Sequence, residues 1–224
     1  MLERLRGGLI VSVQAYEGSV LEAPESIALL ARCAVANGAV GVRVEGAARL
    51  TAVRHVVDVP IVGIIKQRHD GYEPYITSTL EEIEAVIASG AEIVAFDATR
   101  RKRPTGLTPA DLVTATQARG ALAMADCATV DDVEHAVAAG ADIVATTLAG
   151  YTADTSGRSL PAFDLVTAIV ARHPFAICEG GIETPSHART AFAAGAAAIV
   201  VGTAITNVDA LVRRFASAAP RGVG

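Results

Sequence analysis

The 224-residue sequence has little of several features that point directly to a function. Aromatic residues make up 4% of it, and no apolar run approaches the length of a membrane span. The three cysteines are an odd number and widely spaced, so we expect neither a disulfide framework nor a zinc cluster. The net charge is −5 without a long run of one sign, which predicts no nucleic-acid-binding surface and no polybasic membrane surface.

Targeting and cofactor motifs are also missing. Met1–Gly8 carries charge, but the apolar stretch after it is short and ends at Gln14, so we expect no signal peptide and a reducing cytoplasm. No His-x-His pair or carboxylate cluster has metal-ligand spacing, which predicts no metal site. No Gly-x-Gly-x-x-Gly follows a strand, which argues against a nicotinamide cofactor. We therefore expect a protein without a cofactor.

Eight short apolar runs, separated by amphipathic stretches with helical spacing, organise the chain. Eight strand–helix alternations predict a single-domain (β/α)₈ barrel over residues 1–224, with chemistry on the loops that follow the strands. The predicted strands are Leu9–Gln14, Ala39–Glu45, Pro60–Lys66, Ala91–Asp97, Ala121–Asp126, Ala141–Thr147, Phe175–Glu179 and Ala197–Gly202.

A repeated Ala-x-Gly-Ala motif supports this alternation. Its glycines, spaced 52, 50 and 55 residues apart, each end a predicted helix just before a strand, where a positive φ favours glycine: Gly38, Gly90, Gly140 and Gly195. Thr79, Thr129 and Thr184 are predicted helix caps. The two long polar loops, Gln67–Ser78 and Ala149–Ser159, are typical of lids or substrate contacts.

Polar residues at or near the ends of the predicted strands are the candidates for chemistry. They are Gln14, Arg43, Glu45, Lys66, Asp97, Asp126 and Glu179. A lysine after a buried strand predicts a base or a Schiff-base amine, although a structural ion pair is the alternative. Glu179, placed before two glycines, suits an acid or a base, with a carboxylate bound by nearby backbone N–H groups as the alternative. Gln14, Arg43 and Asp126 are predicted to bind a polar substrate or to stabilise the barrel itself.

Glycine-rich turns after the seventh and eighth strands predict a phosphate or anion site. Gly180 and Gly181 precede one helix, and Gly202 and Thr203 begin the next. Barrels of this kind hold phosphate at this place with backbone N–H groups and a helix N-terminus. Cys127 and Cys178 adjoin predicted site residues but have no histidine partner nearby in the sequence, so we expect small buried residues rather than nucleophiles.

The motifs at the strand ends together resemble the N-acetylmannosamine-6-phosphate 2-epimerase family from about Gly8 to Thr206. The motifs that carry this resemblance are Gly8–Ala15, Gly38–Gly46, Pro60–Lys66, Tyr75–Thr77, Ala95–Thr99, Ala125–Thr129, Asp142–Tyr151, Cys178–Pro185 and Ala197–Thr206. The resemblance implies a cofactor-independent barrel isomerase of amino-sugar and sialic-acid degradation. It implies that Lys66 and Glu179 are the catalytic pair.

The same resemblance implies further roles. Gln14, Arg43 and Asp126 would bind the sugar, and Gly180, Gly181, Gly202 and Thr203 would hold the phosphate.

The sequence departs from the family pattern at two positions. Gly181 and Asn207 stand where the family usually carries basic residues, both near the expected phosphate. A loop arginine is expected to replace the missing charge: Arg100, Arg101, Arg103 or Arg158. The alternative is that the substrate is a differently substituted or unphosphorylated amino sugar.

Alternative functions also fit the sequence. One is a Schiff-base aldolase or lyase that uses Lys66, and another is a sugar-phosphate-binding barrel without activity. The partner is a sugar phosphate in the preferred interpretation, and an apolar barrel surface is compatible with a homodimer whose interface the helix patterns do not name.

Overall fold

Eight parallel strands form a closed barrel in the order of the sequence, in a computed structural model that describes residues 1–220. The predicted fold is confirmed. The strands are β1 Leu9–Val13, β2 Gly41–Glu45, β3 Ile61–Ile64, β4 Ile93–Asp97, β5 Leu122–Asp126, β6 Ile143–Ala145, β7 Ala176–Glu179 and β8 Ala198–Val201. The hydrogen-bond ladder between β1 and β8 closes the ring. Residues 221–224, the last of the predicted single domain, lie outside the described part.

Helices cover the outside of the barrel. They are α1 Pro24–Ala36, α2 Ala47–Arg54, α3 Leu80–Ala88, α4 Pro109–Ala118, α5 Val130–Ala138, α6 Phe163–Val170, α7 Pro185–Ala193, α8 Thr203–Thr206 and α9 Val208–Ala218. Short 3₁₀ helices span Leu2–Arg4 and Ala153–Thr155. Among the described residues no helix has the length and apolar character needed to cross a bilayer.

Local sequence signals explain where the helices begin and end. The hydroxyls of Thr79, Thr129 and Thr184 accept backbone N–H groups as predicted, and the first two form capping boxes with Glu82 and Asp132. The repeated glycines have φ between 79° and 102°, so each turns a helix end towards the next strand.

The core has two apolar layers. Side chains such as Ile10, Ile93 and Ile143 fill the barrel, whereas Val42, Ile83 and others pack between the strands and the helices. Burial on both faces explains why the strands are nearly continuous apolar runs.

Four of the predicted strand ends are correct, and the other four strands end one or two residues earlier than predicted. β3 ends at Ile64 rather than Lys66, because a different segment occupies the position next to it. Lys66 and Ile76 form an antiparallel bridge, and the Ile76 carbonyl accepts the N–H of Asp97 at 3.0 Å. The loop after β3 therefore folds back between β3 and β4 and fixes the backbone around Lys66.

Candidate active site

A cavity of about 540 Å³ opens at the carboxyl ends of the strands. Its lining includes the following residues predicted from the sequence: Gln14, Arg43, Lys66, Glu179, Gly180, Gly181, Gly202 and Thr203. Strand-end residues meet here because all eight parallel strands point the same way. The structure therefore brings together eight of the nine predicted site residues, and Asp126 lies behind the cavity wall.

A buried ion network connects three strands beneath this cavity. Arg43 on β2 donates to both carboxylate oxygens of Asp126 on β5, at 3.1 and 2.6 Å, and to Glu179 on β7 at 2.9 Å. The Thr147 hydroxyl lies 2.7 Å from Asp126 and 2.9 Å from Glu179. Arg43 and Asp126 are at most 1% exposed, so Asp126 acts on the cavity through Arg43.

Burial and the charges of the network shift the pKa values of Arg43 and Glu179. Burial by itself would lower the pKa of the Arg43 guanidinium, but the charges of Asp126 and Glu179 raise it, so Arg43 stays charged. Burial raises the pKa of the Glu179 carboxyl, Arg43 opposes this, and the charge of Asp126 raises it further. Glu179 is thus held in place by hydrogen bonds while its proton-bearing form is favoured relative to an exposed glutamate.

Lys66 lies across the cavity from Glu179, because β3 and β7 are four strands apart in a ring of eight. Its Nζ contacts the Gln14 amide oxygen, and the Gln14 amide nitrogen donates to Ser12 at 2.5 Å. Partial desolvation in the cavity lowers the pKa of the Lys66 amine, and the Arg43 charge lowers it further. The pKa values of the two proposed catalytic groups are therefore shifted towards each other.

Two other strand-end acids are used structurally. Asp97 is completely buried and accepts from Arg101 at 2.6 Å, while Glu45 is bound by Arg49. Neither lines the cavity. The sequence pattern marks a strand end but does not separate a substrate-facing carboxylate from one that is neutralised by its own loop.

The arginines expected to compensate at the phosphate do not reach the cavity. Arg100, Arg101 and Arg103 line a separate cavity against α5, and Arg158 pairs with Asp164 at 2.5 Å. Arg101 and Arg103 are bound to Asp97 and its loop. The prediction that these arginines supply the missing charge is wrong. Carboxylates close to them in the sequence neutralise three of them: Asp97 pairs with Arg101 and Arg103, and Asp164 pairs with Arg158.

Both positions that depart from the family pattern have a structural role. Gly181 has φ +72°, and a Cβ there would lie 2.4 Å from the Leu160 Cβ. The Asn207 side chain accepts the Ala210 N–H at 3.0 Å and caps α9. Position 181 has no room for a side chain, and the side chain at 207 holds a helix end.

Sequence reasoning did not single out several polar residues that line the cavity, among them Tyr16, Tyr75, Thr147 and Tyr151. Tyr75 and Tyr151 lie in the two long loops predicted to contact substrate, so loop position was the available signal. The thiols behave as predicted: Cys127 and Cys178 are buried, and burial raises the pKa of Cys178 to about 11. Within residues 1–220, no group of three or more His, Cys, Asp or Glu side chains is arranged to hold a metal ion.

Comparisons with known proteins identify the family of this chain. A family model described as "Putative N-acetylmannosamine-6-phosphate epimerase" matches residues 27–221. The chain belongs to this family. A curated relative from Thermosynechococcus vestitus, named "Putative N-acetylmannosamine-6-phosphate 2-epimerase", is 45% identical over 217 residues, covering 96% of this chain and 94% of the relative. A relative of the same name from Cutibacterium acnes is 42% identical over 223 residues, covering 97% and 96%.

Solved structures give the same family and the same fold. The N-acetylmannosamine-6-phosphate 2-epimerase from Clostridium perfringens superimposes with a TM-score of 0.93 at 37% identity, covering 97% of this chain and 96% of that one. Thiamine phosphate pyrophosphorylase from Pyrococcus furiosus gives a TM-score of 0.60 at 16% identity over 92% of this chain and 91% of that one, which shows a shared fold alone.

The packing at Gly181 generates a stability prediction. Gly181→Ala is expected to lower the free energy of unfolding by about 2–5 kcal/mol, because a left-handed backbone costs an alanine about 1–2 kcal/mol and the clash with Leu160 adds about 1–3 kcal/mol. Urea unfolding of the purified variants measures this.

Gly180→Ala is the matched control. Gly180 also has a positive φ, +103°, but a Cβ there would meet its nearest atom at 3.6 Å. This variant is expected to lose only the backbone cost of about 1–2 kcal/mol. Equal losses in the two variants would show that Leu160 leaves room at position 181.

Proposed function

We propose that the protein epimerises C2 of N-acetylmannosamine 6-phosphate to give N-acetylglucosamine 6-phosphate, in amino-sugar and sialic-acid catabolism. The observation that carries this proposal is a lysine and a glutamate on opposite walls of one cavity, with pKa values shifted towards each other. The names of the family and of its relatives support the same reaction.

The chemistry uses the acidity of the C2 proton in the ring-opened sugar. The neutral Lys66 amine takes this proton, and the C–H electrons form a C1–C2 double bond while negative charge develops on the C1 oxygen. The Lys66 ammonium then stabilises that charge. Glu179 returns a proton to C2 from the other face, and the C1 carbonyl re-forms. Both groups return to their starting states by proton exchange with water.

The surrounding residues position these two groups. Arg43 and Thr147 hold the Glu179 carboxyl, while Gln14 holds the Lys66 amine. Arg43 and Gln14 also line the cavity, where we assign them to the sugar hydroxyls and the acetamido group. Asp126 fixes Arg43 from behind.

We assign the phosphate to one side of the cavity, called here the phosphate end, which consists of Gly180, Gly181, Gly202, Thr203 and Asn207. Gly202 precedes α8, whose first N–H groups have no partner within the helix. Glycines at 180 and 202 allow a phosphate to approach the backbone closely.

The first test is proton NMR in D₂O with N-acetylmannosamine 6-phosphate and, separately, with the unphosphorylated sugar. The gluco epimer is expected to appear with deuterium at C2, because Glu179 exchanges its proton with solvent. Early in the reaction the remaining substrate is expected to keep protium. No epimer from either sugar would contradict the proposal, and protium carried into the product would contradict a separate donor.

Matched variants assign the two groups. Lys66→Ala and Glu179→Gln are each expected to lower kcat roughly 10²- to 10⁴-fold, the usual contribution of a general acid or base. Lys102, the only other lysine in the sequence, and the exposed Glu134 give the controls Lys102→Ala and Glu134→Gln, which are expected to keep activity. Borohydride labelling of Lys66 in the presence of the sugar would instead favour the Schiff-base alternative.

The pKa shifts generate a pH prediction. The active form has a neutral Lys66 and a protonated Glu179, so the two groups together hold one proton. As the pH rises, kcat/KM is expected to increase up to the Glu179 pKa, where the doubly protonated pair loses its first proton. It is expected to fall above the Lys66 pKa, where the pair loses its second proton. The acid limb is expected above 4.5 and the alkaline limb below 10.5, the ordinary values of these groups. Enzyme returned to neutral pH before assay controls for unfolding, and an acid limb at or below 4.5 would contradict the shift.

We further propose that the protein is a homodimer that buries the exposed apolar face of α9. Val208, Val212 and Phe215 are 44%, 60% and 76% exposed and follow one face of this helix. A second copy of the same face would remove this apolar area from water. We also infer a reducing cytoplasmic location from three free cysteines, of which Cys33 is exposed.

Sedimentation tests the dimer. The wild-type chain of 22.9 kDa is expected to sediment as a dimer at micromolar concentration, and Phe215→Glu as a monomer, because a buried unpaired charge opposes association. Ser217→Glu, on the opposite face of α9, is the control and is expected to remain a dimer. A monomeric wild type would contradict the proposal.

A further inference from the structure

The charged groups that line the cavity leave a phosphate without a cation. The charged lining residues are Arg43, Lys66, Glu179 and Glu183. Arg43 is already paired with two carboxylates, and Lys66 has to become a neutral amine to act as the base. The phosphate end contributes glycines, a threonine and an asparagine. A phosphate dianion bound there therefore needs a positive charge from outside the lining.

Helix α9 begins at the phosphate end, and one of its faces is fixed against the loop after β1. Asn207 caps it, and Asp209 accepts the Ser19 hydroxyl at 2.7 Å. One helical turn later, on the same face, the Arg213 guanidinium lies over the ring of Tyr16, 5.4 Å from the centroid. Tyr16 is 50% exposed and lines the cavity.

Arg213 is available for a ligand. Its neighbour Arg214 pairs with Glu183 at 3.4 Å, whereas no carboxylate within the described residues 1–220 forms an ion pair with Arg213. Stacking on an aromatic ring leaves the N–H groups at the edge of a guanidinium free to donate. Tyr16 follows β1 and Gly202 follows β8, and these two strands are neighbours in the barrel. The Arg213 charge on the Tyr16 ring therefore lies on the side of the cavity where Gly202 lies.

We propose that Arg213, carried on the ring of Tyr16, binds the phosphate of the substrate and makes the enzyme select phosphorylated sugars. This inference rests on the proposed function for the substrate class. Arg213 is a specificity residue rather than a catalytic one, since it acts on the end of the sugar remote from C2. Arginine suits this role because its planar fork donates two parallel hydrogen bonds to phosphate oxygens.

The structure supplies a matched control across the barrel. The Arg68 guanidinium lies 5.2 Å from the ring centroid of Tyr75, which also lines the cavity. Arg68 belongs to the loop after β3, away from the phosphate end. Arg68→Ala removes the same charge and the same type of stacking, so it separates a general loss of positive potential from a specific contact.

Calorimetric binding and steady-state kinetics test the proposal in the full chain. Arg213→Ala is expected to weaken binding of N-acetylglucosamine 6-phosphate and to raise KM for N-acetylmannosamine 6-phosphate, each roughly 10- to 100-fold. Binding of unphosphorylated N-acetylglucosamine is expected to be unchanged. Arg213→Lys is expected to recover part of the loss, and Arg68→Ala to keep the wild-type preference for phosphorylated sugar. Arg213 is exposed, and thermal unfolding checks that each variant folds.

Two results would overturn the proposal. One is a change of less than about twofold in phosphorylated-sugar affinity in Arg213→Ala, and the other is an equal loss in Arg68→Ala. A failure of the proposed function is distinguishable from these two results. In that case the wild-type protein would bind the phosphorylated sugar without epimerising it, and the calorimetric affinity of Arg213→Ala would still test the role of Arg213. Tyr16→Phe is expected to keep the preference and Tyr16→Leu to weaken it, because the ring rather than the hydroxyl carries the arginine.

Discussion

The buried contact of Arg43 with Asp126 and Glu179 is the constraint on which the rest of the site depends. A guanidinium without water is stable only when carboxylates surround it, and removing one partner of such a group costs about 3–5 kcal/mol. Three strands, β2, β5 and β7, must therefore keep their register for the charges to meet. The barrel supplies that register, since each strand is fixed by ladders on both sides.

One charge network then serves two purposes. Burial raises the pKa of the Glu179 carboxyl, the charge of Arg43 opposes this, and the charge of Asp126 raises the pKa further. The same Arg43 charge disfavours a proton on Lys66 across the cavity. Burial therefore favours a protonated Glu179 and a neutral Lys66 together, and the Arg43 charge adds to the effect on Lys66 while it opposes the effect on Glu179. A lysine at position 43 would not hold two carboxylates in one plane.

The fold and most of the site follow from local sequence signals. Apolar runs gave the eight strands, and polar residues at or near the end of a run gave Lys66, Glu179 and Arg43, because parallel strands bring their ends together. What the sequence could not supply depends on contacts between distant positions. Nothing near Ile76 reveals that its segment enters the barrel wall, nothing near Gly181 reveals Leu160, and Tyr16 and Arg213 are almost two hundred residues apart. The cluster of basic residues that includes Arg101 and Arg103 suggested a phosphate contact that the structure does not have, because both side chains form ion pairs with Asp97.

Strand ends carry the proposed proton transfer, and loops and helix termini carry the proposed phosphate contacts, for a physical reason. Proton transfer at C2 needs groups fixed to fractions of an ångström, and strand ends in a closed barrel provide that rigidity. Binding a phosphate needs charge at short range but tolerates several directions of approach, so loops and helix termini can supply it. The chain lacks room for a side chain at Gly181 and uses Asn207 as a cap, and both positions are at the rim. A cation carried on Tyr16 from α9 would restore the charge balance without altering any strand, which is why selectivity can change at the rim of this barrel while the reaction at its centre stays the same.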